Sequence, residues 1–153
     1  MTYIPGGGGG GGGGGAPQMA GNIRRQEIDD LLLATEIKLG GFAFDPNLFS
    51  GSTIYLQMAA TLTDAGGSAP ACTLRLYDMG APNTPIAPIL RSEVAITTTG
   101  SLRRERQVLT TSGAPGVNAD EIFNTERLYE VRAELTGDVG DLVEIDWAGL
   151  QGG

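Results

Sequence analysis

The firmest pattern along the chain is an alternation of period two. Over residues 53–63 the even positions read Ile54, Leu56, Met58, Ala60 and Leu62, and the odd ones Thr53, Tyr55, Gln57, Ala59, Thr61 and Thr63. This predicts a half-buried strand. A turn cluster over residues 64–70 follows, and beyond it Cys72, Leu74 and Leu76 alternate with Thr73, Arg75 and Tyr77. The two runs read as neighbouring antiparallel strands. Further on, Tyr129, Val131, Ala133 and Leu135 alternate with Glu130, Arg132 and Glu134. A loop at residues 137–141 intervenes, and Val143, Ile145 and Trp147 then alternate with Glu144 and Asp146. That reads as a hairpin with one wet and one dry face, Trp147 lying on the dry one.

Residues 35–44, 90–98 and 102–111 are weaker strand candidates, for about seven or eight strands in all. With turn signals between strands and no helix-length crossover, the expected fold is all-β, an antiparallel β-sandwich or jelly roll. A helix has a candidate only ahead of the sheet, where Asn22 could cap a short one through Ile23, Ile28 and Leu31. Two connections are long. Residues 79–88 hold Pro82, Pro85 and Pro88, which cannot donate to a ladder, and predict an ordered external loop. Residues 113–125 open on the turn Ala114-Pro115-Gly116.

Ahead of all this stand ten consecutive glycines, residues 6–15, preceded by Met-Thr-Tyr-Ile-Pro. Glycine brings no side chain to a core and loses the most backbone entropy on ordering, so the run reads as a tether or an assembly element. Slack, it spans roughly 17–19 Å end to end; extended, about 31 Å. The expected organisation is an anchoring tip at 1–5, a Gly-rich tether at 6–21, a connecting segment at 22–34 and a β-sandwich domain at 35–153. Within the tip, Thr2, Tyr3, Ile4 and Pro5 are the candidate interaction residues: Tyr3 and Ile4 can seat in a groove and Pro5 fixes the chain's exit. Burying Tyr3 and Ile4 would contribute only a few kcal/mol, but three tips on one trimer would rebind at high effective concentration.

With 153 residues and 41% hydrophobic composition the chain is long enough for one domain with a real core. No apolar run approaches the roughly 20 residues that cross a bilayer, and no secretory leader is recognisable, so assembly in a cytoplasm is expected. The net charge of −8 argues against nucleic-acid binding. One local patch runs the other way: Arg103, Arg104 and Arg106 around Glu105 read as a solvated edge-strand face, or alternatively as a docking patch for an acidic surface.

The chemistry is mostly negative. There is no histidine and a single cysteine, Cys72, so Ser-His-Asp and Cys-His catalysis, His-ligated metals and disulfides within the chain are excluded by residue type. Cys72 reads as a small buried hydrophobe. Asp138 with Asp141, and Asp120 with Glu121, are the only loop carboxylates placed to suggest a hard cation, and solvated side chains are the simpler reading, so no cofactor or metal is expected. No carboxylate pair falls in a glycosidase motif, and the glycine run lacks the flanking strand, helix and Lys or Ser/Thr of a phosphate cradle. The expectation is a non-enzyme.

The stretches at residues 71–78 (ACTLRLYD), 90–99 (LRSEVAITTT), 128–135 (LYEVRAEL) and 147–150 (WAGL) resemble a β-sandwich module of bacteriophage virion proteins over about residues 35–150. The resemblance implies a head-fibre, decoration, spike or tail-fibre component. It also implies a homotrimer at the virion surface, held by its N-terminal segment to a capsid or tail protein, and it carries over no site residues. The alternative reading is a carbohydrate- or receptor-binding adhesin module whose loops take a host-surface glycan, which exposed aromatic rings would favour.

Overall fold

The computed structural model describes residues 3–4, 18–49 and 53–153, with side chains from Gln26 onward; the glycine run at 6–15, Thr2 and Pro5 lie outside the described residues. The strands are β1 (Tyr3–Ile4), β2 (Gln18–Asp29), β3 (Glu36–Phe44), β4 (Ile54–Thr63), β5 (Ala71–Ala81), β6 (Thr84–Ile96), β7 (Leu102–Ser112), β8 (Glu121–Phe123), β9 (Arg127–Thr136) and β10 (Leu142–Gly152). They form a six-stranded sheet in the order β1-β2-β10-β4-β7-β8 and a four-stranded sheet in the order β3-β9-β5-β6. All neighbours are antiparallel except β7 and β8. The all-β sandwich expected from the alternation is therefore what the chain forms.

The core is the set of inward positions of both sheets. Leu56, Met58, Ala60 and Leu62 of β4 and Leu74 and Leu76 of β5 are fully buried. Cys72 Sγ lies 3.8 Å from Met58 Sδ, a contact across the two sheets. Burial pushes the Cys72 thiol up to about 12, so it stays protonated and unreactive.

The alternation predicted the strands but not their pairing. β4 and β5 are not neighbours, and neither are β9 and β10: in each pair one strand belongs to the six-stranded sheet and the other to the four-stranded one. The connections at 64–70 and 137–141 are arches between sheets rather than hairpin turns. Hydrogen bonds between the two connections hold them in this form. Asp141, almost fully buried, accepts from Ala65 N–H at 2.8 Å and Asp138 N–H at 2.6 Å, while Asp138 accepts from Ser68 N–H. The two arches thus bind one another, and two dry strand faces meet across the core instead of side by side.

The segment before the sheet is also corrected. Asn22 caps no helix; it lies inside β2, which pairs along β10 from Gln18 opposite Gly152 to Asp29 opposite Leu142. The apolar spacing of Ile23, Ile28 and Leu31 fits a helical stripe poorly, and the long free edge of β10 decides the outcome by supplying ladder partners. A single 3-10 turn, Asp30–Leu32, follows, with Asp29 accepting from Leu31 N–H at 3.0 Å. Residues 18–29, read as tether and connection, thus belong to the six-stranded sheet. Residues 79–88 are likewise not a loop: β5 and β6 run to a tight turn, with Pro85 and Pro88 inside β6. Prolines are tolerated because β6 is the outermost strand of its sheet.

Gly80 allows that turn. Its φ is +110°, and a Cβ there would collide with the Thr84 carbonyl oxygen. Gly66 has a similar φ of +116° but nothing within 4 Å. Gly80→Ala should therefore cost clearly more than the ~1 kcal/mol of backbone strain expected for Gly66→Ala. Urea unfolding of both variants checks the order, and equal losses would show that the contact at Thr84 is immaterial.

Candidate functional site

The inward series of β5 does not stop at Leu76. Two residues on it delivers Asp78 into the interior with no exposed surface. Asp78 Oδ1 accepts from Gly80 N–H at 2.8 Å and Arg127 Nε at 3.2 Å, and Oδ2 accepts from Arg91 Nη2 and Arg127 Nη2, both at 3.1 Å. Arg91 is itself buried and also donates to the carbonyls of Pro115, at 2.8 Å, and Gly116, at 3.2 Å. The Phe123 ring lies beneath both guanidiniums, 4.1 Å from Arg127 and 5.4 Å from Arg91. The carboxylate thus accepts four hydrogen bonds, all from the chain's own groups. Chemically, this cluster can hold the 113–125 connection against β5, β6 and β9.

A second aspartate completes that hold. Asp120, at φ +56°, donates its N–H to Arg91 O at 3.0 Å and accepts at its carbonyl from Thr110 N–H at 2.9 Å. Its carboxylate accepts from Ser92 Oγ at 2.7 Å and Gln107 Nε2 at 3.2 Å. One residue therefore ties β6 of one sheet to β7 of the other. Both carboxylate pairs considered for a cation are occupied in this manner: Asp120 and Asp141 by the bonds above, Glu121 by Gly116 N–H at 2.9 Å, and Asp138 by Ser68 N–H. Among the described residues no three Asp, Glu or Cys side chains converge as metal ligands.

The outward face of the four-stranded sheet carries an ion-pair network. Arg75 Nη1 meets Glu36 at 2.9 Å and Glu134 at 2.8 Å, its Nε meets Glu93 at 3.1 Å, and Arg132 bridges Glu36 and Glu130. Burial opposes the charge on Glu36, but hydrogen bonds from Tyr77, Arg75 and Arg132 outweigh it and hold the carboxyl below its usual range. Tyr77 is pushed up to about 12 by burial and by donating to Glu36.

None of the described aromatic side chains is largely exposed. Tyr129 and the Phe42, Phe44 and Phe49 rings are buried; Tyr77 lies under Arg132 and Tyr55 under Arg106, at 4.4 and 4.2 Å. Trp147 is buried, as expected, but on the other face. A register shift after Ile145 sets it opposite Ala59, in the outward series of β4, while Ala148 and Leu150 take the inward places opposite Met58 and Leu56. It is only 9% exposed, on the face away from the cluster that joins the two sheets. Its Nε1, with Gln57 Oε1 and Gln151 Oε1 on the same face, has no hydrogen-bond partner among the described residues.

Of the anticipated interaction residues, Tyr3 and Ile4 form β1, paired with Ala20 and Met19; Thr2 and Pro5 lie outside the described residues. The arginine patch is on β7. Arg103, Arg104 and Arg106 are all exposed, and β8 pairs only with Thr110, Thr111 and Ser112, so residues 102–109 are an open sheet edge. The described residues include the linings of shallow grooves of ≈ 260 Å³, one formed by Gln26, Glu27, Glu144, Ile145 and Asp146, another by Ala43, Asp45, Leu48 and Glu126. No family model, no curated protein and no solved structure matches this chain.

Asp78→Ala leaves two guanidiniums without their carboxylate, one of them buried, and should cost about 3–5 kcal/mol. Chemical denaturation reads this directly, and a loss below about 1 kcal/mol would show that the cluster is not holding the loop. The Glu36 contribution is present above the ordinary carboxylate range and is lost as pH falls through its lowered folded value. Glu36→Gln should therefore be less stable than the wild type at neutral pH, and the gap should close in acid. A gap that persists at about pH 2 would contradict this assignment.

Proposed function

We propose that the chain is a non-enzymatic structural protein of a virus particle, a head-fibre, decoration or spike component that displays a β-sandwich and attaches through its N-terminal tip. The observation that carries the reading is the place of Tyr3–Ile4. They form a two-residue strand at the outermost position of the six-stranded sheet, held by two residue pairs, whereas β2 meets β10 over nine. Such a strand costs little to detach from β2 and can extend a partner's sheet edge instead, with Thr2, Tyr3, Ile4 and Pro5 as the contact residues. The sandwich behind it keeps its own core.

The polar groups inside the domain are consistent with this role, since Asp78, Asp120 and Asp141 are used to bind segments of the chain together. A trimer of such chains would offer three tips to a capsid or tail protein, and avidity would make three weak contacts into a durable attachment at the virion surface, after assembly in the host cytoplasm. Deleting residues 1–15 is the test. The truncated chain should keep a β-rich circular dichroism spectrum and cooperative unfolding but no longer co-sediment with particles; attachment undiminished by the deletion would sink the proposal.

A further inference from the structure

Among the described residues, Lys38, Arg75, Arg91, Arg127 and Arg132 each meet a carboxylate. Arg103, Arg104 and Arg106 meet none, Arg106 resting on the Tyr55 ring instead. They lie in a row on the open edge of β7, flanked by Leu102 and Val108, which are 58% and 47% exposed. An edge strand with unpaired backbone groups recruits another strand unless something prevents it. Pairing with β7 of a second copy about a two-fold axis at Glu105 would set Arg104 against Arg106 and Glu105 against Glu105, like charges that disfavour that symmetric register.

The complementary charge lies elsewhere on the same sheet. Glu144 is directly opposite Glu27 on β10 and β2, both exposed, and with Asp146, Gln26 and Ile145 they line a groove of ≈ 260 Å³. Like charges facing each other across a ladder are destabilising, and no described cation relieves them. Among the described side chains, one molecule thus holds cations on an edge and carboxylates on a groove, at separate places and without ion-pair partners, an arrangement suited to a heterologous, head-to-tail contact.

We propose that residues 102–108 of β7 dock into the Glu27–Glu144–Asp146 groove of a second copy of this chain, head to tail. The proposal rests on the oligomer suggested above but not on particle attachment. The full chain should run as an oligomer by light scattering at low salt and dissociate as salt screens the contact, over about 50 to 500 mM. Arg103→Glu with Arg104→Glu should give monomer, as should Glu27→Arg with Glu144→Arg. All four substitutions in one chain should restore the oligomer. Circular dichroism confirms that each variant is folded, and the salt series on the unaltered chain gives a readout that needs no variant. A monomeric wild type, an oligomer indifferent to salt, a reversal that keeps the oligomeric mass, or a fourfold variant that stays monomeric would each overturn the interface. Particle co-sedimentation is scored separately: an oligomer that fails to attach counts against the function proposed above, and a monomer that attaches counts against the interface alone.

Discussion

The buried carboxylate of Asp78 is the constraint on which one end of the sandwich depends. It occupies a position that the β5 alternation would give to a hydrophobe, and an isolated carboxylate there would cost several kcal/mol in lost hydration. The structure offsets that cost with two guanidiniums and a backbone N–H, and each guanidinium belongs to a different element: Arg91 to β6 and Arg127 to the start of β9. Satisfying one charge therefore fixes three strands and the turn at Gly80. Arg91 then reaches the carbonyls of Pro115 and Gly116, so the long connection between β7 and β9 has no freedom to leave the surface. A hydrophobic residue at position 78 could fill the space, but it could not specify where that connection lies.

Aspartate recurs wherever the two sheets must be joined. Asp141 binds the arch from β4 to β5 against the arch from β9 to β10, and Asp120 joins β6 to β7 through its own backbone. The side chain is short, accepts at two oxygens and tolerates left-handed φ, which suits it to bridging loops where no ladder is possible. Much of the chain's acidity therefore has an internal structural use, and charge alone is a poor guide to what the surface binds.

This explains how much was legible beforehand. Period-two alternation depends only on one face being dry, so the runs at 53–63, 71–77 and 129–135 revealed their strands and their inward residues. Pairing was not legible, because a dry face is equally satisfied by a neighbour in the same sheet or by the opposite sheet, and the bonds of Asp138 and Asp141 that select the second option join residues about seventy positions apart in sequence. β2 was hidden because its residues pair with β10 without strong alternation of their own. Trp147 was misplaced by a single inserted residue, since one bulge reverses the face of every side chain up to the next. The Asp78 cluster did leave a signal: Cys72, Leu74, Leu76, Asp78 on one strand and Arg127, Tyr129, Val131 on another each carry a charge in register with apolar residues. Read together, opposite charges at the same end of two inward series point to a buried pair.

What the interior cannot absorb then becomes informative. Inside and on the four-stranded sheet, the described cations find carboxylates, even where Arg75 and Arg132 sit directly opposite each other and need Glu36, Glu93, Glu130 and Glu134 to relieve the repulsion. Among the described side chains, a chain that neutralises charge so consistently there leaves it unneutralised on the six-stranded sheet, as cations on the β7 edge and as facing carboxylates on β2 and β10. These two patches are opposite in sign and lie on one sheet two or three strands apart, too distant for their side chains to reach one another within a single molecule. The imbalance is therefore a property of the monomer that a second molecule can remove, and the same open edge that would invite unselective strand pairing is made selective by the sign of its charge.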